Sequence, residues 1–287
     1  MISREPFTVS VLTHDRAPEL AVTLPHLLAA CGDAPVLVVD NGSTDATPEL
    51  LRTFAPRVRH VRLAENHGAA GRNVGVLLAT TPYVALCDDD TWWAPGSLAL
   101  AAAALDEDAG LAAVTARVLV GPAEREDPTC ERMARSPLSR APDRPGSPIL
   151  GFLAGASMVR RSAFLQVGGF EPRFFLGEEE RLVAVDLAAR GWSMAYLGEA
   201  VVFHHPSRAR DAAGRRVLSA RNALWFTWLR RPFVAALRET ARLLRRAPRD
   251  RAVFRGALAA FAGIPWVARS RRVVPAEVER DLRLVMA

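Results

Sequence analysis

Residues 35–54, PVLVVDNGSTDATPELLRTF, join an unbroken apolar run to a polar turn and then to a segment with helical spacing. A short apolar run bounded by turn residues reads as a buried strand, and the same strand-then-helix unit recurs along the first hundred residues. FTVSVLTH (7–14) reads as a strand, residues 17–31 as a helix that begins around Pro18, VRHVRLA (58–64) as a strand, GAAGRNVGVLLAT (68–80) as a helix, and YVALCD (83–88) as a fourth strand. Such alternation implies an α/β sheet, and the short connections imply parallel strands with right-handed crossovers. In an open parallel sheet ligands bind beyond the carboxyl ends of the strands, where Asp40 and Asp88 stand.

Further along, GSLALAAAALDEDAG (96–110) reads as a helix and LAAVTARVLV (111–120) as a strand. Residues 121–148 are rich in Pro, Arg, Asp and Ser without periodicity, and read as a long loop of the kind that often serves as a binding element. ILGFLAGASMVRRSAFLQVGGF (149–170) reads as strand, turn and short helix. Glu179 and Glu180 open a helix with an apolar stripe of Leu182, Val183, Leu187 and Ala188, ended by Gly191. MAYLGEAVVFHH (194–205) closes the body as a strand or hairpin, and residues 214–260 read as helical, divided at Pro232.

Half of the 287 residues are apolar, enough for a substantial core, and neither repeats nor low-complexity tracts occur. The net charge of +6 conceals an asymmetry: residues 207–272 hold 17 arginines against Asp211, Glu239 and Asp250, a balance of +14, so the remainder carries −8. Lysine is absent, so the basic side chains are guanidinium groups that stay charged near neutral pH. Three cysteines, Cys31, Cys87 and Cys130, lack metal-site spacing and suit a reducing compartment. The start of the sequence has no secretory-signal pattern, and the apolar run GALAAFAGIPWVA (256–268) is too short to span a bilayer. The expected location is cytoplasmic, peripheral on the inner face of the membrane.

Three consecutive aspartates, Asp88, Asp89 and Asp90, end the fourth strand ahead of Trp92 and Trp93. Crowded carboxylates repel unless they are solvated, protonated or facing a cation. A capped turn accounts for Asp40 with Asn41, Gly42 and Ser43, but not for the acids recurring at a second strand end. If both ends face one crevice, Mn2+ or Mg2+ suits these hard oxygen ligands and brings a substrate diphosphate with it. Between them ENHGAAGRNVG (65–75) allows close backbone approach, and Arg72 offers a fork for phosphate oxygens. The spacing is neither the dinucleotide glycine fingerprint nor a P-loop.

VLVVDNGSTD, NHGAAGRN and DDD, in this order and spacing, resemble the nucleotide-sugar-binding half of family 2 glycosyltransferases with a GT-A fold. The resemblance implies a single Rossmann-like domain with a mostly parallel sheet over 1–206, divided at about residue 100 into a nucleotide-binding and an acceptor-side half, then a basic helical region over 207–287. It implies that Asp40 contacts the nucleotide base, that Thr13, Asn66 and Arg72 help hold the nucleotide, that Asp88 faces the ribose with Asp89 beside it, and that Asp90 binds the metal. LGFLAGASMVRRSAFLQVGGFEPRFF (150–175) matches the acceptor side, the segment before Gly155 lining the sugar pocket. The family's acidic pair falls on Glu179 and Glu180, with Glu180 as catalytic base where aspartate is usual, and His204 rather than His205 matches a metal or diphosphate contact. One of the two tryptophans is expected to wall the sugar or acceptor pocket.

The implied activity is inverting transfer from a nucleotide-diphosphate sugar to a hydroxyl of a carbohydrate or lipid-linked acceptor, in cell-surface glycan, polysaccharide or glycolipid synthesis. The rival enzyme, a sugar nucleotidyltransferase, needs a glycine-rich loop where VLTHDRAPEL (11–20) has no glycine. A non-enzymatic nucleic-acid-binding role for the arginine-rich segment is disfavoured beside a coherent enzyme site. An anionic membrane surface explains residues 207–272 more economically, with Trp225, Phe226, Trp228, Leu229 and Phe233 sinking into lipid; packing on the body is the alternative.

Overall fold

The computed structural model describes residues 5–139, 144–207 and 212–286. Ten strands form one sheet: β1 (Phe7–Thr13), β2 (Val36–Asp40), β3 (Val58–Arg62), β4 (Tyr83–Asp88), β5 (Thr91–Trp93), β6 (Leu111–Val120), β7 (Arg125–Glu126), β8 (Ser147–Pro148), β9 (Ala156–Arg160) and β10 (Ser193–His204). The main path runs β3-β2-β1-β4-β9-β6-β10-β5, with β7 added to β6 and β8 to β10. From β3 to β4 all neighbours are parallel, as the alternation predicts. The central strands of this half, β1, β2 and β4, are buried almost throughout because helices cover the sheet.

β9 enters antiparallel between β4 and β6. Two reversals restore the original direction, so β6 and β10, parallel to each other, also run parallel to β4. The carboxyl ends of β1, β2, β4 and β10 and the beginning of β9 therefore share one sheet edge. Thr13 is in register with Asp40, Leu12 with Asp88, and Ala156 with Cys87. Three turn glycines, Gly42, Gly68 and Gly177, take left-handed backbone along this edge.

Of the segment 121–148, residues 140–143 lie outside the described residues, and residues 121–139 are more ordered than a loop: β7 leads into a helix, Pro128–Ala134, whose first turn is capped by Asp127 accepting from the Thr129 amide. Its Cys130 is fully buried, and the element is too short for its periodicity to show. The segment 194–205 is not a hairpin: residues 194–204 belong to one long strand with a bulge between Leu197 and Val201. The helix Glu179–Ala188 buries Leu182, Val183 and Leu187 as its stripe predicts, and all three cysteines are buried free thiols.

Beyond residue 211 lie the helices Ala212–Arg230, Phe233–Arg246, Arg251–Ala260, Ile264–Ser270 and Ala276–Met286. The break at Pro232 is as expected. A second break follows Pro248, where Asp250 caps the next helix by accepting from the Ala252 and Val253 amides. These helices share a core with the body: Phe174, Leu182 and Val185 pack with Leu224, Trp225, Phe226 and Leu229. Trp225, Phe226 and Leu229 are thus buried in protein and Trp228 is partly buried, which corrects the expectation that they face lipid; of that set only Phe233 is exposed. The aromatic faces that tolerate arginine nearby hold it here, with Arg181 over Phe226 at 4.6 Å and Arg221 over Trp225 at 4.3 Å. Arg208, Arg210 and Asp211 of the basic segment lie outside the described residues. Among the described residues no helix is long and apolar enough to cross a membrane.

Candidate active site

The shared sheet edge opens into a cavity of about 530 Å3. Thr13, Asn66, Arg72, Asp88, Asp89, Asp90, Glu179, Glu180 and His204, nine of the ten residues picked out from sequence, line it. The exception is Asp40, which is fully buried at its strand end. Its Oδ1 accepts from the Ser43 amide at 2.8 Å, and its Oδ2 lies 3.6 Å from Arg62 Nε and 3.7 Å from His60 Nε2. Asp40 thus closes the turn after β2, and Asn41 takes the place facing the cavity.

Asn41 ties that turn to the glycine loop. Its Nδ2 donates to Asn66 Oδ1 at 2.9 Å and to the Gly68 carbonyl at 3.0 Å, while its Oδ1 accepts from the His67 amide. Gly71 is required beneath it, because a Cβ there would meet Leu12 Cδ1 at 2.7 Å and Asn41 Oδ1 at 3.0 Å. The glycine loop is therefore packed close on β1 and β2 before any ligand is considered.

After β4 the aspartate turn is pinned by Thr91, whose Oγ1 accepts from the Asp88 amide at 2.9 Å and lies 3.0 Å from the Gly155 carbonyl. Asp88 forms an ion pair with the buried Arg72, and its carboxylate lies over Gly155, where a Cβ would be 2.6 Å from Oδ2. Burial works against the Arg72 charge, but Asp88 outweighs it and holds the guanidinium firmly protonated. Because β5 pairs Thr91 with His204, Asp90 reaches His204: Oδ1 and Nε2 are 3.5 Å apart. His205 instead packs on Trp92, at 4.7 Å between ring centres. Trp93 is fully buried in the core and Trp92 stacks on His26, so neither tryptophan walls the cavity.

The two glutamates arrive on a loop in unusual conformations. Phe175, Gly177 and Glu178 all have left-handed φ, which for the two non-glycine residues signals stored strain. The loop is held from both sides. The Phe175 carbonyl accepts from the Ala69 amide at 2.7 Å. On the other side Asn222 Nδ2 donates to the carbonyls of Phe174, Leu176 and Gly177 at 2.8, 3.0 and 2.6 Å. Glu178 is drawn to Arg181 at 3.0 Å and leaves the cavity, which settles which two of the three glutamates face it. Glu180 Oε1 accepts from the Ala154 amide at 2.7 Å, and the buried Glu179 Oε2 has no partner.

Electrostatically the cavity is acid-rich, with five carboxylates against Arg16, Arg72 and Arg215. Burial, reinforced by Glu179, pushes the Glu180 carboxyl up to about 8, and burial also raises Glu179. Burial, with Asp90 and Asp88 adjoining, pushes Asp89 up to about 8. Besides Glu179 Oε2, the buried Thr13 Oγ1 and Arg72 Nε on the cavity wall have no hydrogen-bond partner. Such orphans suit a polar ligand that completes them.

Sequence reasoning did not find Asn41, Arg215, Ser219 or Asn222. Asn41 carried a signal, adjacent to a strand-end aspartate. The other three come from the helix Ala212–Arg230, and nothing local to that helix announces that it folds back over the cavity.

A family model described as Glycosyl transferase family 2 matches residues 8–168. The N-acetylglucosaminyl-diphospho-decaprenol L-rhamnosyltransferase of Mycobacterium tuberculosis is 32% identical over 240 residues, covering 71% of this chain and 78% of that protein. Among solved structures, the mannosyltransferase PcManGT from Pyrobaculum calidifontis, in complex with GDP-Man and Mn2+, has a TM-score of 0.62 at 20% identity and covers 99% of this chain and 87% of its own. GalNAc-T7 with UDP, GalNAc and Mn2+ has a TM-score of 0.60 at 14% identity, over 78% of this chain and 47% of its own, so the chain spans about half of that protein. The likeness to PcManGT includes the carboxyl-terminal helices, whereas the family match ends before them. With the strand order, the acid-rich edge and these matches agreeing, the chain belongs to glycosyl transferase family 2 and is a glycosyltransferase of the GT-A fold.

Proposed function

We propose that this glycosyltransferase moves a sugar from a nucleotide-diphosphate donor to a hydroxyl of a lipid-linked saccharide, with inversion at the anomeric carbon. The observation that carries the reading is the single cavity in which the aspartate turn, Arg72 and the Glu179–Glu180 pair converge. The rhamnosyltransferase relative, whose name specifies a diphospho-decaprenol acceptor, supports the acceptor class. Sugar nucleotidyl transfer and nucleic-acid binding have no support from the family.

Glu180 takes the proton from the acceptor hydroxyl as its oxygen bonds to the anomeric carbon. The bond from that carbon to the diphosphate oxygen breaks on the opposite face, and its electron pair leaves with the nucleoside diphosphate. A carboxyl raised toward neutrality suits this work, since a base is most effective with a pKa near the working pH. The Ala154 amide aims it, and the loop clamped by Asn222 sets its distance. Arg72 stabilises charge on the departing diphosphate. Thr13, Asn41 and Asn66 face the nucleotide, and Asp40 shapes the base-side wall through the turn it holds.

Among the described residues no group of three or more His, Cys, Asp or Glu forms a protein-only metal cage. The donor set nonetheless fits a hard divalent cation, which commonly takes one or two carboxylates and completes its shell with phosphate and water. Asp90, Asp88 and His204 would hold Mn2+ or Mg2+, which when bound supplies positive charge to the diphosphate.

We extend the reading to an anionic membrane surface. Phe233, Val234, Phe254, Leu258, Phe261 and Ile264 are each more than half exposed, among arginines such as Arg238, Arg242 and Arg251. That is the composition of an interfacial face. The test is a screen of nucleotide-diphosphate sugars with Mn2+, reading release of nucleoside diphosphate without acceptor and sugar transfer to an N-acetylglucosaminyl-diphospho-lipid with it. Asp90→Ala should lose most of the metal-dependent nucleotide-diphosphate binding seen by calorimetry. Release of pyrophosphate instead of a nucleoside diphosphate would overturn the reaction class.

A further inference from the structure

A second cleft, of about 1020 Å3, adjoins the active-site cavity: Phe175, Leu176 and Arg215 line both. Its walls carry five arginines, Arg215, Arg216, Arg249, Arg251 and Arg255, against one acid, Asp250. Asp250 is already committed, capping its helix through Oδ1 and pairing with Arg216 through Oδ2 at 2.5 Å. No ion pair to the other four arginines occurs among the described residues.

The arginines are gathered by helix packing. Arg216 meets Asp250, Gly256 lies on Ala220, and Trp225 Nε1 donates to the Ala260 carbonyl, so the helices Ala212–Arg230 and Arg251–Ala260 run side by side in the same direction. Gly256 permits the approach, since a Cβ would lie 2.6 Å from both Ala220 Cβ and the Val217 carbonyl oxygen. The amino-terminal turns of both helices thus flank the cleft, adding the positive ends of two helix dipoles to the guanidinium charge.

We propose that this cleft binds the diphosphate of the lipid-linked acceptor. The proposal rests on the acceptor class inferred above. The donor's diphosphate belongs to the aspartate cavity, so the arginine cleft is surplus to donor binding, and several planar guanidinium forks suit a compact polyanion. The layout along the helix pair agrees. Arg215 stands on the wall of both the arginine cleft and the cavity that holds Glu180. Ten residues on from Arg215, about 15 Å along the helix, an apolar groove of about 550 Å3 is lined by Trp225, Trp228, Phe233, Leu244, Phe261 and Ile264. Sugar, diphosphate and hydrocarbon would each meet a matching wall, of carboxylate, arginine and apolar side chains respectively.

The test uses the full chain and a variant carrying Arg249→Gln, Arg251→Gln and Arg255→Gln, three exposed positions outside the active-site cavity. The probes are N-acetylglucosaminyl diphosphate bearing a short isoprenoid chain, its monophosphate counterpart, and the phosphate-free glycoside of the same chain. The wild type should bind the diphosphate roughly tenfold or more tightly than the glycoside, as charge-assisted bonds require. The variant should lose that preference while keeping its melting temperature and its Mn2+-dependent nucleotide-diphosphate binding. Equal binding of the three probes by the wild type, or a preference that survives in the variant, overturns the subsite. So does a variant altered only in sedimentation with anionic vesicles or in binding to RNA. Failure of the acceptor reading looks different: the wild type then releases nucleoside diphosphate from its donor yet transfers no sugar to the diphosphate probe.

Discussion

The sheet body and two of the carboxyl-terminal helices, Phe233–Arg246 and Arg251–Ala260, bury opposite kinds of side chain. In the body, large apolar residues go inside: Val9, Val11, Val36 and Val38 on the strands, and Leu20, Leu24 and Leu27 at helical spacing above them. In the helices Phe233–Arg246 and Arg251–Ala260 the inward residues are Ala235, Ala236, Gly256, Ala257 and Ala260, while Phe233, Val234, Leu237, Phe254 and Leu258 face out. An apolar stripe therefore marks the core in one region and a free surface in the other. The helix Ala212–Arg230 stands between them, packed by its aromatics like the body yet presenting Arg215 to the candidate site.

The largest expected effects test whether the carboxyl-terminal helices are one folding unit with the body. Arg231 and Glu279 are both buried and doubly bonded, at 2.8 and 3.1 Å. Glu279→Ala leaves the buried guanidinium with Glu239 at 3.9 Å in place of its two short bonds and should cost about 3 kcal/mol. Phe226→Ala empties a fully buried site shared with the body helix and should cost about 3–5 kcal/mol. Chemical denaturation read by near-ultraviolet signals from the whole chain should show one transition shifted in each variant. Two separate transitions would mean that the body folds without these helices.

Next comes the proposed catalytic pair. Glu180→Gln should leave nucleotide binding intact and cut turnover by roughly 10²-fold or more, with Glu179→Gln milder; reversed ranks would make Glu179 the base. Because the Glu180 carboxyl is pushed up to about 8 from 4.5, its contribution to stability is fully present below about pH 4.5 and is lost as pH rises through 8. The Gln variant should therefore melt above the wild type at pH 8, with the gap closing toward pH 4.5. Wild-type turnover should rise with pH over the same upper range.

Asn222→Ala probes the join itself. It removes the donor shared by three loop carbonyls and should cost about 1–3 kcal/mol, and turnover should fall more than donor affinity because the loop carries Glu180. An equal loss in both would mean that the loop shapes donor binding as well. The smallest effect is expected at Phe254→Ala, an exposed position whose substitution should move stability by less than about 0.5 kcal/mol. It should still weaken sedimentation with anionic vesicles. A large stability loss there would show that Phe254 is covered in solution.

What the sequence determined by itself was local. Apolar runs, turn residues and helical spacing along residues 7–88 specified strands, helices and their parallel order, because each such unit has one short-range solution for burying its face. The aspartate turn was legible because crowded carboxylates at a strand end stand out against ordinary capping, whereas the glutamate pair was legible only through the resemblance to the family's acidic pair. Tertiary structure decided what local spacing does not encode. The antiparallel insertion of β9 brought Ala154 and Gly155 onto the Asp88 and Glu180 carboxylates, and Asp40 was turned into its own loop by the Ser43 amide. Gly256 set two helices close enough to align five arginines beside the active site. A period of 3.6 residues says that a helix has two faces; only the shape and charge of what it packs against say which one is buried.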